Sequence, residues 1–314
     1  PLRSHLQDMV TSGVYGYDPF LSDSVSTDEL VMMSKSEHPV LRLAALNTLI
    51  EKDSNDYNLI IENLYDTAIV SVEEGEFGLN RYMIADYLIW NAEWKNEKDF
   101  EKTVEEVVFK HNNLRAAYYI LAKFEPKERY YLIIKEMASR ERPFEETERA
   151  LYSLALYQKP EDISLIKEKF YWNYWKMGKL SFQIMRKFPD TSYLEVLRRY
   201  AISGYWPAQN NYNHPFSEDW AYENFCKTLA YYNADTSAAL FQRIIDRFDK
   251  YSKWEIDEFG WAIYAAIEEY PSPLYKNILN DVVKICKIDT TSRIKHLVIR
   301  SKGKNRVKPE KYNW

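Results

Sequence analysis

Four arginines, Arg42, Arg81, Arg115 and Arg149, fall 39, 34 and 34 residues apart, each ahead of an Ala/Leu/Tyr-rich run. The runs read PVLRLAALNTL at 39–49, LNRYMIADYL at 79–88, NLRAAYYILA at 113–122 and ERALYSLAL at 148–156. Positions two, three and seven after each arginine are nearly all apolar or aromatic, which is one face of a helix. A period of 30–40 residues is too short for a domain and too long for one helix, so it implies helix pairs.

The turns agree with that reading. Polar or proline breaks separate one apolar-periodic run from the next, as at Glu125-Pro126-Lys127-Glu128, Lys159-Pro160-Glu161-Asp162, Phe188-Pro189-Asp190 and Tyr270-Pro271-Ser272-Pro273. Proline in a first turn forfeits no helical hydrogen bond, so each break marks a helix start. Ser26/Glu29, Ser34/Glu37 and Ser192/Glu195 have capping-box spacing. Further along, helices are expected over Lys179–Phe188, Glu218–Tyr231 and Glu255–Glu269. Only 8 of 314 residues are glycine, which disfavours folds that rest on glycine turns or Gly-rich phosphate loops. We therefore expect an all-α chain, above about 60% helix, against a base rate near one third, with no β-sheet.

The recurring runs resemble the HEAT-repeat family of armadillo-like α-solenoids. The likeness is carried by residues 26–170 and is extended beyond them by turn rhythm. It implies a right-handed α-α superhelix of about seven antiparallel helix pairs over 26–292, after a lead-in at 1–25 and before a basic end at 293–314. In such arrays the arginine position makes a ladder between repeats, which assigns Arg42, Arg81, Arg115 and Arg149 a structural role. Asp86 interrupts the apolar run 83–89. A buried Asp needs a partner, and Arg81, Arg115 or a helix-turn hydrogen bond would supply one.

Charge narrows the partners. The net is −5, but residues 1–157 carry −11 and 293–314 carry +7, leaving −12 over 1–292. An acidic body with a basic tail is unlike a nucleic-acid groove, which counts against a HEAT-like DNA glycosylase. The acidic half would favour a basic partner. The tail 301–311 has no apolar pattern and reads as a solvated terminus. No stretch reaches 18 apolar residues, so no membrane span is expected. Opening on Pro1 without methionine, the chain reads as a processed or trimmed product, with the compartment open between cytoplasmic and exported.

Catalytic and metal motifs are missing from the sequence. HExxH, CxxC, Walker A and G-x-S-x-G do not occur, and the five histidines form no i,i+4 pair. The pairs Glu105-Glu106, Glu145-Glu146, Asp257-Glu258 and Glu268-Glu269 read as solvated helix faces, since neighbours point about 100° apart. Cys226 and Cys286 sit in apolar runs and read as small hydrophobes. No cofactor or metal is expected.

The chain is 16% aromatic. Much of that suits a Tyr-rich core, but 204–216 lacks any helical pattern and interrupts the array. It holds Tyr205, Trp206, Asn210, Asn211, Tyr212 and His214, with Trp172 and Trp175 in the preceding unit as the other wall. Rings supply area at low entropy cost and amides supply direction, as a recognition loop requires. Segment 67–78 is a second interruption, read as a lengthened turn. The leading function is a non-enzymatic scaffold binding a protein or peptide on its concave face. The alternative is an all-α carbohydrate-active enzyme or carbohydrate-binding protein, which the Trp and Asn content would suit.

Overall fold

The structure is a computed structural model that describes residues 6–7, 14–15, 19–52, 57–73, 79–91, 97–121, 125–203 and 221–288. Among these the chain is 76% helical, with 16 α-helices. It divides into two compact units, 1–133 and 134–314.

In the first unit, α1 (Pro19–Ser24) and α2 (Thr27–Met33) pack on α3 (Pro39–Lys52). Ser26 and Glu29 form the capping box that opens α2. Ser34 instead ends α2 as its C-cap, and the hydroxyl ahead of α3 that accepts a backbone N–H is Ser36 Oγ, from His38. The Ser34/Glu37 spacing was therefore one turn out of register with the helix start. After α4 (Tyr57–Glu62) comes a small sheet, contrary to the strand-free expectation. Strands β1 (Val14–Tyr15), β2 (Ile69–Glu73) and β3 (Leu79–Met83) lie in that order, β1 parallel and β3 antiparallel to β2. Alternation explains it: Val70 and Val72 are buried while Ile69 is exposed, as a half-buried strand requires. Arg81 thus lies on β3 opposite Ser71.

The chain re-enters helix at α5 (Ile84–Asn91), followed by α6 (Glu97–Lys110) and α7 (Arg115–Leu121), with α5 and α6 both packed on α7. The four arginines do not share one role. Arg42 forms a bidentate pair with Asp66, at 2.7 and 3.1 Å, and donates to the Ser36 carbonyl. Arg81 and Arg115 are exposed, and Arg115 lies over the Trp90 and Tyr119 rings at 5.4 and 5.6 Å. Arg115 thus reaches one ring on its own helix and one on α5, a contact of a different kind from the Arg42–Asp66 pair. Asp86, 3% exposed, accepts from the Ala116 N–H at 2.7 Å, so it caps the first turn of α7.

Helix α8 (Tyr131–Ser139) spans the division between units. The second unit continues with α9 (Phe144–Ala155), α10 (Ile163–Trp172), α11 (Lys179–Lys187), α12 (Tyr193–Ser203), α13 (Ala221–Tyr232), α14 (Asp235–Ile245), α15 (Lys253–Glu269) and α16 (Lys276–Cys286). Packing alternates. Helices α9, α11, α13 and α15 each lie against the next, and α10, α12, α14 and α16 do the same. Two layers result, and the chain crosses between them at every turn.

The filling between the layers is aromatic. Phe170, Phe182, Tyr193, Tyr222, Phe225, Phe241 and Tyr275 are almost wholly buried. Phe182 meets Tyr200 and Phe225 at 5.2 and 5.8 Å, and Phe241 meets Tyr275 at 5.6 Å, all near edge-to-face, the geometry that aromatic quadrupoles favour. Hydroxyls then satisfy backbone ends: Tyr275 donates to the Leu229 carbonyl and Tyr232 to that of Met185. Cys226 is buried and its thiol is pushed up by desolvation. Glu146, expected on a solvated face, is 4% exposed and faces Arg142. At α12 the Ser192 N–H is bound by Asp190 Oδ1 at 2.8 Å, while Glu195 pairs with Arg198. An Asp turn and an ion pair thus replace the expected Ser192/Glu195 box.

Candidate functional site

Helix α10 ends at Trp172 because Asn173 departs from helical geometry (φ −121°, ψ 22°). Asn173 Nδ2 donates to the Lys169 carbonyl at 2.9 Å, which ties off an otherwise open acceptor of the last turn. A single 3-10 turn, Tyr174–Lys176, follows, and Met177 anchors it by burial. The end of α10 and this short turn together carry four rings, Tyr171, Trp172, Tyr174 and Trp175.

Arg199 of α12 organises them. Its guanidinium carbon lies 4.0 Å from the Tyr171 ring centre, 5.0 Å from that of Tyr174 and 6.0 Å from that of Trp172. These are cation–π distances. Tyr171 and Trp172 stand perpendicular at 5.4 Å, as do Tyr174 and Trp175 at 5.1 Å. The tyrosines are drawn in against the arginine, while Trp172 and Trp175 remain 61% and 45% exposed. Two large indoles are thus held at the surface by neighbours that are themselves packed.

Beside them on the same helix end is a cleft of about 360 Å³. Its walls are the turn between α8 and α9, with Arg140, Glu141 and Arg142, the start of α9 at Pro143 and Phe144, and Lys169 and Asn173 from α10. Lys169 Nζ donates to the Ser139 and Arg140 carbonyls at 3.0 and 3.3 Å, fixing the turn to α10. Arg140 pairs with Glu136 at 2.8 Å. A cleft of this size accommodates one side chain or a small ligand.

Of the residues singled out in the sequence, Trp172 and Trp175 are described, and both are exposed. Tyr205, Trp206, Asn210, Asn211, Tyr212 and His214 lie outside the described residues, as does the basic end 293–314. Arg199, Arg140, Arg142 and Lys169 were missed. A signal existed for Lys169 and Arg199: the 33 residues Lys167–Arg199 hold eight Lys/Arg and three Asp/Glu, a local excess hidden in totals taken over half the chain.

Among the described residues no group of three or more His, Cys, Asp or Glu side chains is arranged to hold a metal ion, and no helix is long and apolar enough to cross a membrane. The buried carboxylates Asp86 and Glu148 accept from backbone N–H groups of neighbouring helices, which is a capping task. Comparisons with family models, curated proteins and solved structures find no match.

Proposed function

We propose that the protein is a non-enzymatic scaffold, a HEAT-like α-solenoid of about seven antiparallel pairs in a right-handed superhelix, that binds a protein or peptide segment at the Trp172/Trp175 surface. The two alternating helix layers of the second unit support the architecture. The observation that carries the binding role is the exposure of two tryptophans, Trp172 and Trp175, next to tyrosines stacked on Arg199. Exposed apolar rings mark interaction sites when they cluster, and Trp is prominent among residues that dominate binding energy.

Selection of a displayed random-peptide library on the immobilised full chain tests this. Specific peptides should be enriched by the wild type and lost with Trp172→Ala/Trp175→Ala, at an unchanged melting temperature. Enrichment that survives the double variant would remove this surface from the reading.

The carbohydrate alternative draws on the same indole faces, which suit sugar rings, and on the Asn173 amide at the cleft. It predicts oligosaccharides retained on a glycan array by the wild type and lost with Trp172→Ala, with no enriched peptide.

A further inference from the structure

We infer that the open edge of β3 is a docking site at which an extended peptide segment adds as a further strand, with a carboxylate opposite Arg81. The site is separate from the Trp172/Trp175 surface, since β3 belongs to the first compact unit and the two tryptophans to the second. The first ground is the hydrogen-bond phase of the β2–β3 pair. The Ile84 N–H donates to the Ala68 carbonyl at 3.0 Å, which continues the register that sets Ile69 opposite Met83. Bonded and non-bonded pairs alternate in an antiparallel ladder, so Val70/Tyr82 and Val72/Asn80 are bonded pairs. Arg81 lies between them, with its N–H and carbonyl directed away from β2, and the Met83 N–H points the same way. β3 is an outer strand of the sheet, and among the described residues no strand pairs with its far side. Backbone groups left open in this way are a template for another strand.

The second ground is what flanks those groups. Side chains alternate across a strand, so Arg81 and Met83 share a face with Ser71 and Ile69, their cross-strand partners. On the other face Val70 and Val72 are buried, and Tyr82 meets the Trp90 ring at 4.9 Å. Arg81 is exposed, and among the described residues no ion pair or hydrogen bond engages its guanidinium. Ile69, opposite Met83, is 55% exposed. The open face thus carries an apolar row and a cationic row. An antiparallel strand fits it with an apolar side chain opposite Met83 and, two residues later, a carboxylate opposite Arg81, at roughly 4.5–5.5 Å between Cβ atoms. Charge also decides against a second copy of this chain. Two β3 edges related by a two-fold axis would set one Arg81 opposite or diagonal to the other, where like charges repel. A charge in mid-edge blocks such self-pairing and leaves the edge to a strand that brings the opposite sign.

Fluorescence anisotropy of the full chain with a labelled Thr-Thr-Val-Tyr-Glu-Val-Thr peptide tests the inference. Three relatives of the probe accompany it: Lys in place of Glu, an N-methyl group on the Glu nitrogen, and an N-methyl group on the Tyr nitrogen. In the proposed register the Glu nitrogen donates to the Arg81 carbonyl and the Tyr nitrogen faces away. The first methyl group should therefore weaken binding about tenfold, and the second should leave it unchanged. Arg81→Gln, at an exposed position and with an unchanged melting temperature, should weaken the Glu probe about threefold, as for a cross-strand charge pair. Arg81→Glu should reverse the preference between the Glu and Lys probes. Equal binding of the two methylated probes, or no preference for Glu over Lys, overturns the inference. So does a free chain that sediments as a dimer and becomes a monomer with Met83→Pro, a change that removes an outward N–H and no ladder bond; the occupant would then be a second copy.

Discussion

Glu148 on α9 accepts hydrogen bonds from both the backbone N–H and the hydroxyl of Ser181, 33 residues further along the chain, the former at 2.7 Å. It also accepts from the Gly178 N–H at 3.2 Å. The first turn of α11 is therefore capped by a side chain of the helix it packs against, since Gly178 at its N-cap position has no side chain to offer. Burial raises the Glu148 carboxyl above the ordinary glutamate value of 4.5, against the lowering effect of the Ser181 and Gly178 hydrogen bonds. The sign of the linkage follows. Between 4.5 and the raised value the folded chain holds a proton that the unfolded chain has released, so stability falls as pH rises through that window and is insensitive to this group below it. Glu148→Gln keeps an acceptor but cannot titrate. Urea unfolding at a series of pH values from about 4.5 upward should show the wild type losing stability relative to this variant. Glu148→Ala should cost about 1–3 kcal/mol at any pH, because buried N–H groups lose their partner.

Asp86 does a related task in the first unit, accepting from the Ala116 N–H at the start of α7. Asp86→Ala should lower stability by about 1–2 kcal/mol, the usual cost of a lost cap, and Asp86→Asn by less, since the amide oxygen still accepts. Chemical denaturation distinguishes these from an ion-pair role, in which Asn would be nearly as damaging as Ala.

Arg42 and Asp66 make a bidentate pair, with side chains 19% and 15% exposed. Arg42 also binds the Ser36 carbonyl, so it joins the turn before α3 to the turn after α4. Arg42→Ala should lower stability by roughly 1–3 kcal/mol, as loss of a partly buried charged hydrogen bond does. A double-mutant cycle with Asp66→Asn should show coupling, because the pair shares one geometry. Additive losses would mean that the carbonyl contacts, not the carboxylate, carry the effect.

Local signals in the sequence located most helices. Periodicity and turn residues placed a helix at Lys179–Phe188, Glu218–Tyr231 and Glu255–Glu269, and helices occupy Lys179–Lys187, Ala221–Tyr232 and Lys253–Glu269. What stayed hidden depends on contacts distant in sequence. Strand β2 takes its partner β1 from 58 residues upstream, Val14 opposite Val72, and no local pattern announces such a pairing. The Glu148 cap and the Arg199 stack likewise join residues about 30 apart on different helices. Asp86 was legible as a buried acid because it broke an apolar run, whereas its partner is a backbone N–H, which leaves no trace in the sequence. The two tryptophans of the site were visible as an aromatic run. Their support was not, since Arg199 lies in an ordinary amphipathic helix.

Arg199 tests whether that support matters. Arg199→Lys keeps the charge but loses the planar stacking that a guanidinium makes on Tyr171 and Tyr174. It should cost about 0.5–1 kcal/mol of stability, the worth of a partly exposed cation–π contact. Fluorescence quenching of Trp172 and Trp175 by acrylamide should rise as the platform loosens, against a background set by the remaining tryptophans. Unchanged quenching would show that the indoles are held by the backbone turn at Asn173 alone.

Gly260 sits in the middle of α15, where glycine costs about 1 kcal/mol relative to alanine in helix propensity. Its presence is explained by α16. A Cβ built at position 260 would lie 2.1 Å from Cys286 Sγ and 3.1 Å from Cys286 Cβ. The two helices pack against each other at this point, with Gly260 buried and Cys286 half-buried. Desolvation raises the Cys286 thiol to about 11, so at neutral pH it is a small neutral packing group. Gly260→Ala should therefore destabilise by about 1–3 kcal/mol, the overpacking cost exceeding the propensity gain. Cys286→Ala removes the sulfur and leaves only the 3.1 Å contact, which a shift of a few tenths of an ångström relieves. The double variant Gly260→Ala/Cys286→Ala should then be more stable than the sum of the single changes, a positive coupling measurable by urea unfolding. Strict additivity would place the strain elsewhere in α15.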